Sequence, residues 1–162
     1  MSDAPGTGWG LPRGLIDTGA IIALIDADDR WHRPCVEAFP ELRLPLGTST
    51  AVLAEVFHLL RTPQDLAAAW GFLRSGAVSV LPIDDNDLPE LEELMKRYRD
   101  RPMDFADATL VHLARRESLF TVFTVDNDDF ETYRLVRKRR FRVLPGRVLD
   151  APRPRRPARR RG

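Results

Sequence analysis

The sequence predicts an α/β protein with a mainly parallel sheet and helices between its strands. Three observations carry this reading. Short apolar or β-branched runs alternate along the chain with longer segments of helical periodicity. The strand candidates are continuously apolar, as in "TVFTV" (121–125), which suits a sheet covered on both faces. With 162 residues, 43% of them apolar and 30% charged, the chain can bury one real core. No apolar run approaches the roughly 20 residues that crossing a bilayer requires.

The elements follow in order. "GLID" (14–17) is a short strand ending at Asp17, and "GAIIALIDA" (19–27) is the helix after it. A second helix begins near Asp29 to Trp31 and runs through "WHRPCVEAFPEL". "LPLGTS" (44–49) is the next strand, and Ser49 or Thr50 caps the helix "AVLAEVFHLLR" (51–61). Val52, Val56, Leu59 and Leu60 mark the buried side of that helix. "PQDLAAAWGFLRSG" (63–76) is a helix stopped by Gly76, and "AVSVLPI" (77–83) is a strand with β-branched alternation.

"DNDLPELEELMKRYRD" (85–100) is an amphipathic helix with Leu88, Leu91, Leu94, Met95 and Tyr98 on one side, broken by Arg101-Pro102. "IDDNDL" (83–88) looks like a metal loop but reads better as the start of this helix. Asp104 caps "MDFADATLVHLARRE" (103–117). "LFTVFTVD" (119–126) is the clearest strand of all, and "FRVLPG" (141–146) is the last. No internal repeat appears.

The net charge of +1 hides an asymmetry. "APRPRRPARRRG" (151–162) holds six arginines and no acid, leaving 19 basic and 24 acidic residues, a net −5, on residues 1–150. A second basic run, "RLVRKRRFR" (134–142), precedes the tail. Such an edge attracts nucleic acid, or it is a solvated appendage too polar and Pro-rich to pack. The domain reading is a flexible segment at 1–13, one domain at 14–146 and a basic tail at 147–162. The opening "MSDAPGTGWG" has neither a basic n-region nor an apolar h-region, so no secretory leader is expected. The single Cys35 excludes an internal disulfide and a cysteine-based zinc site, which fits a reducing cytoplasm.

Ligands in parallel α/β folds bind beyond the C-terminal ends of the strands. Asp17 and Asp126 fall there, from distant parts of the chain. Glu55 interrupts an apolar helix, and an acid in such a stretch is unfavourable unless it is paired or binds a metal. Asp107 lies in the first turn of its helix. Each acid alone has an ordinary explanation: a solvent face for Glu55, the helix dipole for Asp107, an N-cap for Asp104. The histidines, His32, His58 and His112, are far apart and form no HExxH-type pair. Arg30 and Trp31 read as surface or packing residues, with RNA or partner contact as the functional alternative. The haloacid dehalogenase chemistry needs a second acid two residues after the first; here Thr18 and Gly19 follow Asp17.

The order of the four acids is the specific signal. "LIDTGAIIAL" with Asp17, "TSTAVLAEVFHLL" with Glu55, "MDFADATLVHLA" with Asp107 and "TVFTVDNDDF" with Asp126 resemble the PIN-domain nucleases, and among them the VapC-type ribonuclease toxins. The resemblance spans about Gly14 to Leu144. It implies a three-layer α/β/α sandwich with the acids at the strand ends, and phosphodiester hydrolysis, usually of RNA, with Mg²⁺ or Mn²⁺. It implies Asp17 and Asp107 as main ligands, with Glu55 and Asp126 completing the site directly or through water. Asp104, Asp129, Thr18 and Thr124 are possible outer members. A cognate antitoxin and a homodimer are the implied protein partners. An RNA-processing nuclease that is not a toxin, and a PIN-like module that binds without cutting, are the rival readings.

The residues support such chemistry independently. Clustered carboxylates raise one another's pKa values unless a cation neutralises them. Hard oxygen donors select Mg²⁺ or Mn²⁺ over zinc.

Overall fold

The computed structural model describes residues 10–101 and 103–146. The expectations for residues 1–9, for Pro102 as a helix breaker and for the tail from 147 lie outside these residues. Five parallel strands form one sheet: β1 (Leu15–Ile16), β2 (Leu46–Thr48), β3 (Val78–Val80), β4 (Thr121–Phe123) and β5 (Arg142–Leu144). Their order is β3-β2-β1-β4-β5. The chain walks outward from β1 to β3, then returns to place β4 on the other flank of β1. Leu15 pairs with both Gly47 and Val122, and Ile16 with Phe123. The reversal between β1 and β4 is a topological switch point, and sheets of this kind bind ligands in a crevice beyond the C-terminal strand ends there.

Among the described residues seven α-helices connect the strands: α1 (Thr18–Ile25), α2 (His32–Ala38), α3 (Thr50–Leu59), α4 (Pro63–Arg74), α5 (Leu88–Arg97), α6 (Phe105–Glu117) and α7 (Asn127–Thr132). Their starts are chemically specified. Ser49, not Thr50, caps α3 by accepting the Val52 N–H at 3.2 Å. Thr62 and Asp65 form a reciprocal capping box ahead of α4, with Pro63 in the first turn. Asp84 and Asp87 do the same for the 3₁₀ turn Asp85–Asp87 that opens α5, so "IDDNDL" is a helix start. Asp104 caps α6.

Gly19 is required by a close approach. A Cβ there would meet Val125 Cγ2 at 2.5 Å, so the first turn of α1 rests on the segment leaving β4. One core joins Leu15, Ile16, Ile21, Val52, Val56, Leu110, Val122 and Phe123. Phe123 meets Phe39 edge-on at 6.2 Å, and Phe130, Tyr133 and Tyr98 form a second aromatic chain. Complete burial of each large apolar side chain contributes about 1.5–3 kcal/mol, which is how strands of two or three residues hold their places.

Several expectations need correction. The strands are shorter than their apolar runs, because flanking residues already turn toward loops and the crevice. Leu59 is 50% exposed: the buried stripe of α3 is Val52 and Val56, continued by the half-buried Leu60 just past the helix end, and Leu59 falls beside it. Leu88, 49% exposed, sits on the first residue of α5 beside exposed Phe105 rather than under the sheet. The acidic segment after Asp126 is a helix, α7, not only a turn. The basic run (134–142) leads to the end of the sheet away from the acids. It descends through a 3₁₀ turn (Val136–Lys138) to Arg142, which pairs with Thr121 at the opposite, N-terminal end of the sheet. No helix among the described residues is long and apolar enough to cross a membrane. Cys35 is free and buried.

Candidate active site

The four acids come from four elements. Asp17 ends β1 and caps α1: its backbone N–H donates to Phe123 O at 3.0 Å, and its Oδ1 accepts the Thr18 N–H at 2.7 Å. Thr124, the residue after β4, donates its hydroxyl to Asp17 Oδ2 at 3.1 Å and accepts the Asp126 N–H at 3.0 Å. One threonine therefore ties the two central strand ends together. Thr18 donates to Glu55 Oε2 on α3 at 2.8 Å. Asp107 comes in on the first turn of α6, where its N–H is held by Asp104 Oδ1 at 2.8 Å and its Oδ2 accepts the Tyr133 hydroxyl at 3.3 Å. Below it, Ser49 and Thr109 share a buried hydrogen bond of 2.7 Å that joins α3 to α6.

Electrostatics identify the cluster as short of positive charge. Burial pushes the Asp107 carboxyl up to about 9, helped by the charges of Asp17, Asp104, Asp126 and Asp129. Burial raises Asp126 to about 7, and Asp129 beside it adds to the shift. Asp17 rises to about 6 by burial, against the opposing hydrogen bonds from Thr18 and Thr124. Glu55 is also raised, burial again outweighing its bond from Thr18. The Tyr133 hydroxyl is driven upward by burial and by Asp107. No lysine, arginine or histidine is hydrogen-bonded to Asp17, Glu55, Asp107 or Asp126 among the described residues.

The PIN domain family matches residues 14–135. Ribonuclease VapC26 of Mycobacterium tuberculosis is 30% identical over 134 residues, spanning 81% of this chain and 99% of that protein. The chain belongs to the PIN-domain family. Among solved structures it resembles Mycobacterium tuberculosis VapC20, a Sarcin-Ricin loop cleaving toxin, with a TM-score of 0.62 and 26% identity over 70% of this chain and 90% of that one. The fold is also that of a FitAB complex bound to an IR36 DNA fragment: TM-score 0.54, 21% identity, 72% of this chain and 87% of that one.

In this PIN domain the eight residues implied by the resemblance are near enough to couple through charge or hydrogen bonds. Asp17, Glu55, Asp107 and Asp126 meet at the crevice; Asp104 and Asp129 lie at its rim, and Thr18 and Thr124 are hydrogen-bonded to its carboxylates. Tyr133 was missed. It is fully buried after α7, and a lone tyrosine at the end of an acidic stretch carries no sequence signal for contact with Asp107. The remaining candidates lie elsewhere. Trp31 is buried packing, His32 bonds Ala23 O, His58 is exposed, and His112 sits between Asp87 and Glu90 at 2.6 and 2.9 Å.

The donor set fits a hard divalent cation: it is all oxygen and, among the described residues, without a hydrogen-bonded cationic side chain. As arranged, no three His, Cys, Asp or Glu side chains among the described residues form a closed ligand group. Asp17, Glu55 and Asp107 instead lean on Thr124, Thr18 and Tyr133, and the Asp126 carboxyl on Asp129.

Thr124 is a positioning residue, and Thr124→Val tests it. The isosteric change leaves the Asp126 N–H without its acceptor and removes the donor to Asp17, which should destabilise the fold by about 1–3 kcal/mol. If Asp17 ligates a cation, loss of its supporting bond should lower RNA cleavage by roughly 10–100-fold. Thr124→Ser should restore both the denaturation midpoint and kcat. A Thr124→Val protein that loses only its midpoint and keeps its kcat when folded would show that Thr124 acts only on the fold.

Proposed function

We propose that this PIN domain is a Mg²⁺- or Mn²⁺-dependent endoribonuclease and the toxin of a toxin–antitoxin pair. The observation that carries the reading is the convergence of acids from β1, α3, α6 and the end of β4 on one crevice, all with raised pKa values. The VapC-type relatives supply the substrate class. Asp17 and Asp107 are the main ligands, with Glu55 and Asp126 completing the set directly or through water. When bound, the cation supplies Lewis acidity toward a phosphate oxygen and lowers the pKa of a water.

The chain's own residues do the rest. Thr124 fixes Asp17 against Asp126, Thr18 fixes Glu55, and Tyr133 with the Asp104 cap holds Asp107. Asp104 and Asp129 keep the rim anionic, so the crevice admits phosphate only with a cation. No protein nucleophile is needed, and the one cysteine is buried away from the acids with its thiol pushed up to about 12 by burial.

An antitoxin segment bearing an arginine would satisfy the same carboxylates with bidentate bonds and compete with the cation. A second copy of the chain is the other proposed partner, and the cytoplasm is the proposed setting. Expressed without its partner, the wild-type protein should slow growth and cut RNA in a reaction stopped by EDTA. Asp17→Asn should do neither. Equal toxicity of the two proteins would point to a binding module, and cleavage that survives chelation would remove the metal.

A further inference from the structure

A cavity of about 370 Å³ opens at the N-terminal ends of β1 and β4, the pole opposite the carboxylates. Arg13, Arg43 and Arg142 line it, with Glu41 as its one acid. All three arginines are exposed, and Arg13 and Arg43 have no carboxylate partner among the described residues. Arg142 reaches Glu41 at 3.4 Å, in a pair whose side chains are 62% and 57% exposed. Such a solvent-facing pair contributes little and is easily exchanged for another anion.

The surroundings extend this charge. Arg139 stacks over the Phe120 ring, its guanidinium carbon 3.7 Å from the centroid, and Phe120 itself lines the cavity. Arg137, Lys138 and Arg140 are exposed on the same connection into β5. Arg137 and Lys138 both take left-handed backbone, with φ of 57° and 59°. Arginines that converge around a small cavity, beside an aromatic face already paired with a guanidinium, match a nucleic-acid backbone with an adjacent base.

We infer that this pole is a second RNA-contacting surface, which holds phosphates of the substrate remote from the bond that is cut. The inference rests on the ribonuclease reading for the identity of its ligand. Thr121 begins β4, whose three residues span about 10 Å, and Asp126 lies beyond its far end. A short strand lying in the crevice does not reach the arginines; a folded RNA that wraps the flank of β5 does. The surface reads backbone and not sequence, so it adds affinity without setting the cut. It also resolves how an acidic crevice retains a polyanion: the favourable field lies on the far side of the same small domain.

The test measures binding rather than turnover, in full-length protein carrying Asp17→Asn, so absence of cleavage and absence of this surface are separate results. Labelled total tRNA and a short oligouridylate serve as probes. Replacing Arg13, Arg43 and Arg142 together with Gln should weaken tRNA binding roughly tenfold or more. The slope of log affinity against log salt should fall by about 2–3, since each phosphate contact contributes about 0.7–0.9. Oligouridylate binding should not change. Glu41→Gln should tighten tRNA binding, and Arg139→Gln should weaken it alone. All these side chains are exposed, and melting temperature checks the fold. Unchanged tRNA affinity, or equal losses on both probes, would overturn the inference. Retained tRNA binding with lost binding of polyglutamate would assign the pole to an acidic protein segment instead.

Discussion

Asp107→Asn is expected to abolish measurable RNA cleavage while making the metal-free protein more stable. If Asp107 ligates the cation directly, as proposed, loss of cleavage should exceed the roughly 100-fold upper range for outer supporting bonds. The gain in stability follows from proton linkage. The Asp107 carboxyl titrates near 3.8 when unfolded and about 9 in the folded protein, so between those values the folded state holds the extra proton. Stability from this group is therefore full below the unfolded value, declines as pH rises and is lost above about 9. Asn cannot ionise. The variant should match the wild type near pH 3.5 and exceed it at pH 8 by about 1–3 kcal/mol. For a domain of this size that is about 2–4 °C in Tm for each kcal/mol. Asp17→Asn should behave alike with a smaller gain, since its folded value is about 6. Full activity in either variant would mean that the catalytic centre lies elsewhere. Wild-type stability that is flat from pH 5 to 8 would remove the electrostatic argument.

How these acids meet is a matter of strand order, which no local pattern contains. The five strands were legible because each is a continuous apolar run between turn residues, and the six longer helices because period and cap agree, as at Ser49 and Asp104. What brings Asp17 to Asp126 is the placement of β4 beside β1 instead of beside β3. The sequence carried that only through the resemblance of four ordered motifs to one family. Failures were of a different kind. α7 has six residues, three of them acidic, and no apolar period to announce it. Tyr133 acts through a contact across 26 positions. The place of the basic run is likewise set by topology: β5 runs parallel to β4 and therefore begins at the far pole.

Binding of Mn²⁺ or Mg²⁺ is expected to tighten with pH and to release protons. A carboxylate must be ionised to ligate, and burial together with mutual repulsion puts Asp17 near 6, Asp126 near 7 and Asp107 near 9. At pH 6 a cation therefore displaces protons from at least Asp107 and Asp126, and affinity should rise about tenfold per pH unit for each proton displaced. By pH 8 Asp126 is already ionised, and the remaining dependence comes from Asp107. Calorimetric titration with Mn²⁺ in two buffers of different ionisation enthalpy counts the protons directly. The count should fall from pH 6 to pH 8. Asp107→Asn should bind more weakly and release fewer protons, whereas the arginine variants of the opposite pole should bind the ion as the wild type does. Bound cation should also reverse the alkaline loss of stability, by an amount that grows with the ratio of its concentration to Kd. Affinity that does not change between pH 6 and 8 would show that the carboxylates are already ionised without the metal. Mn²⁺ binding that survives in a protein carrying both Asp17→Asn and Asp107→Asn would place the ion at some other set of oxygens.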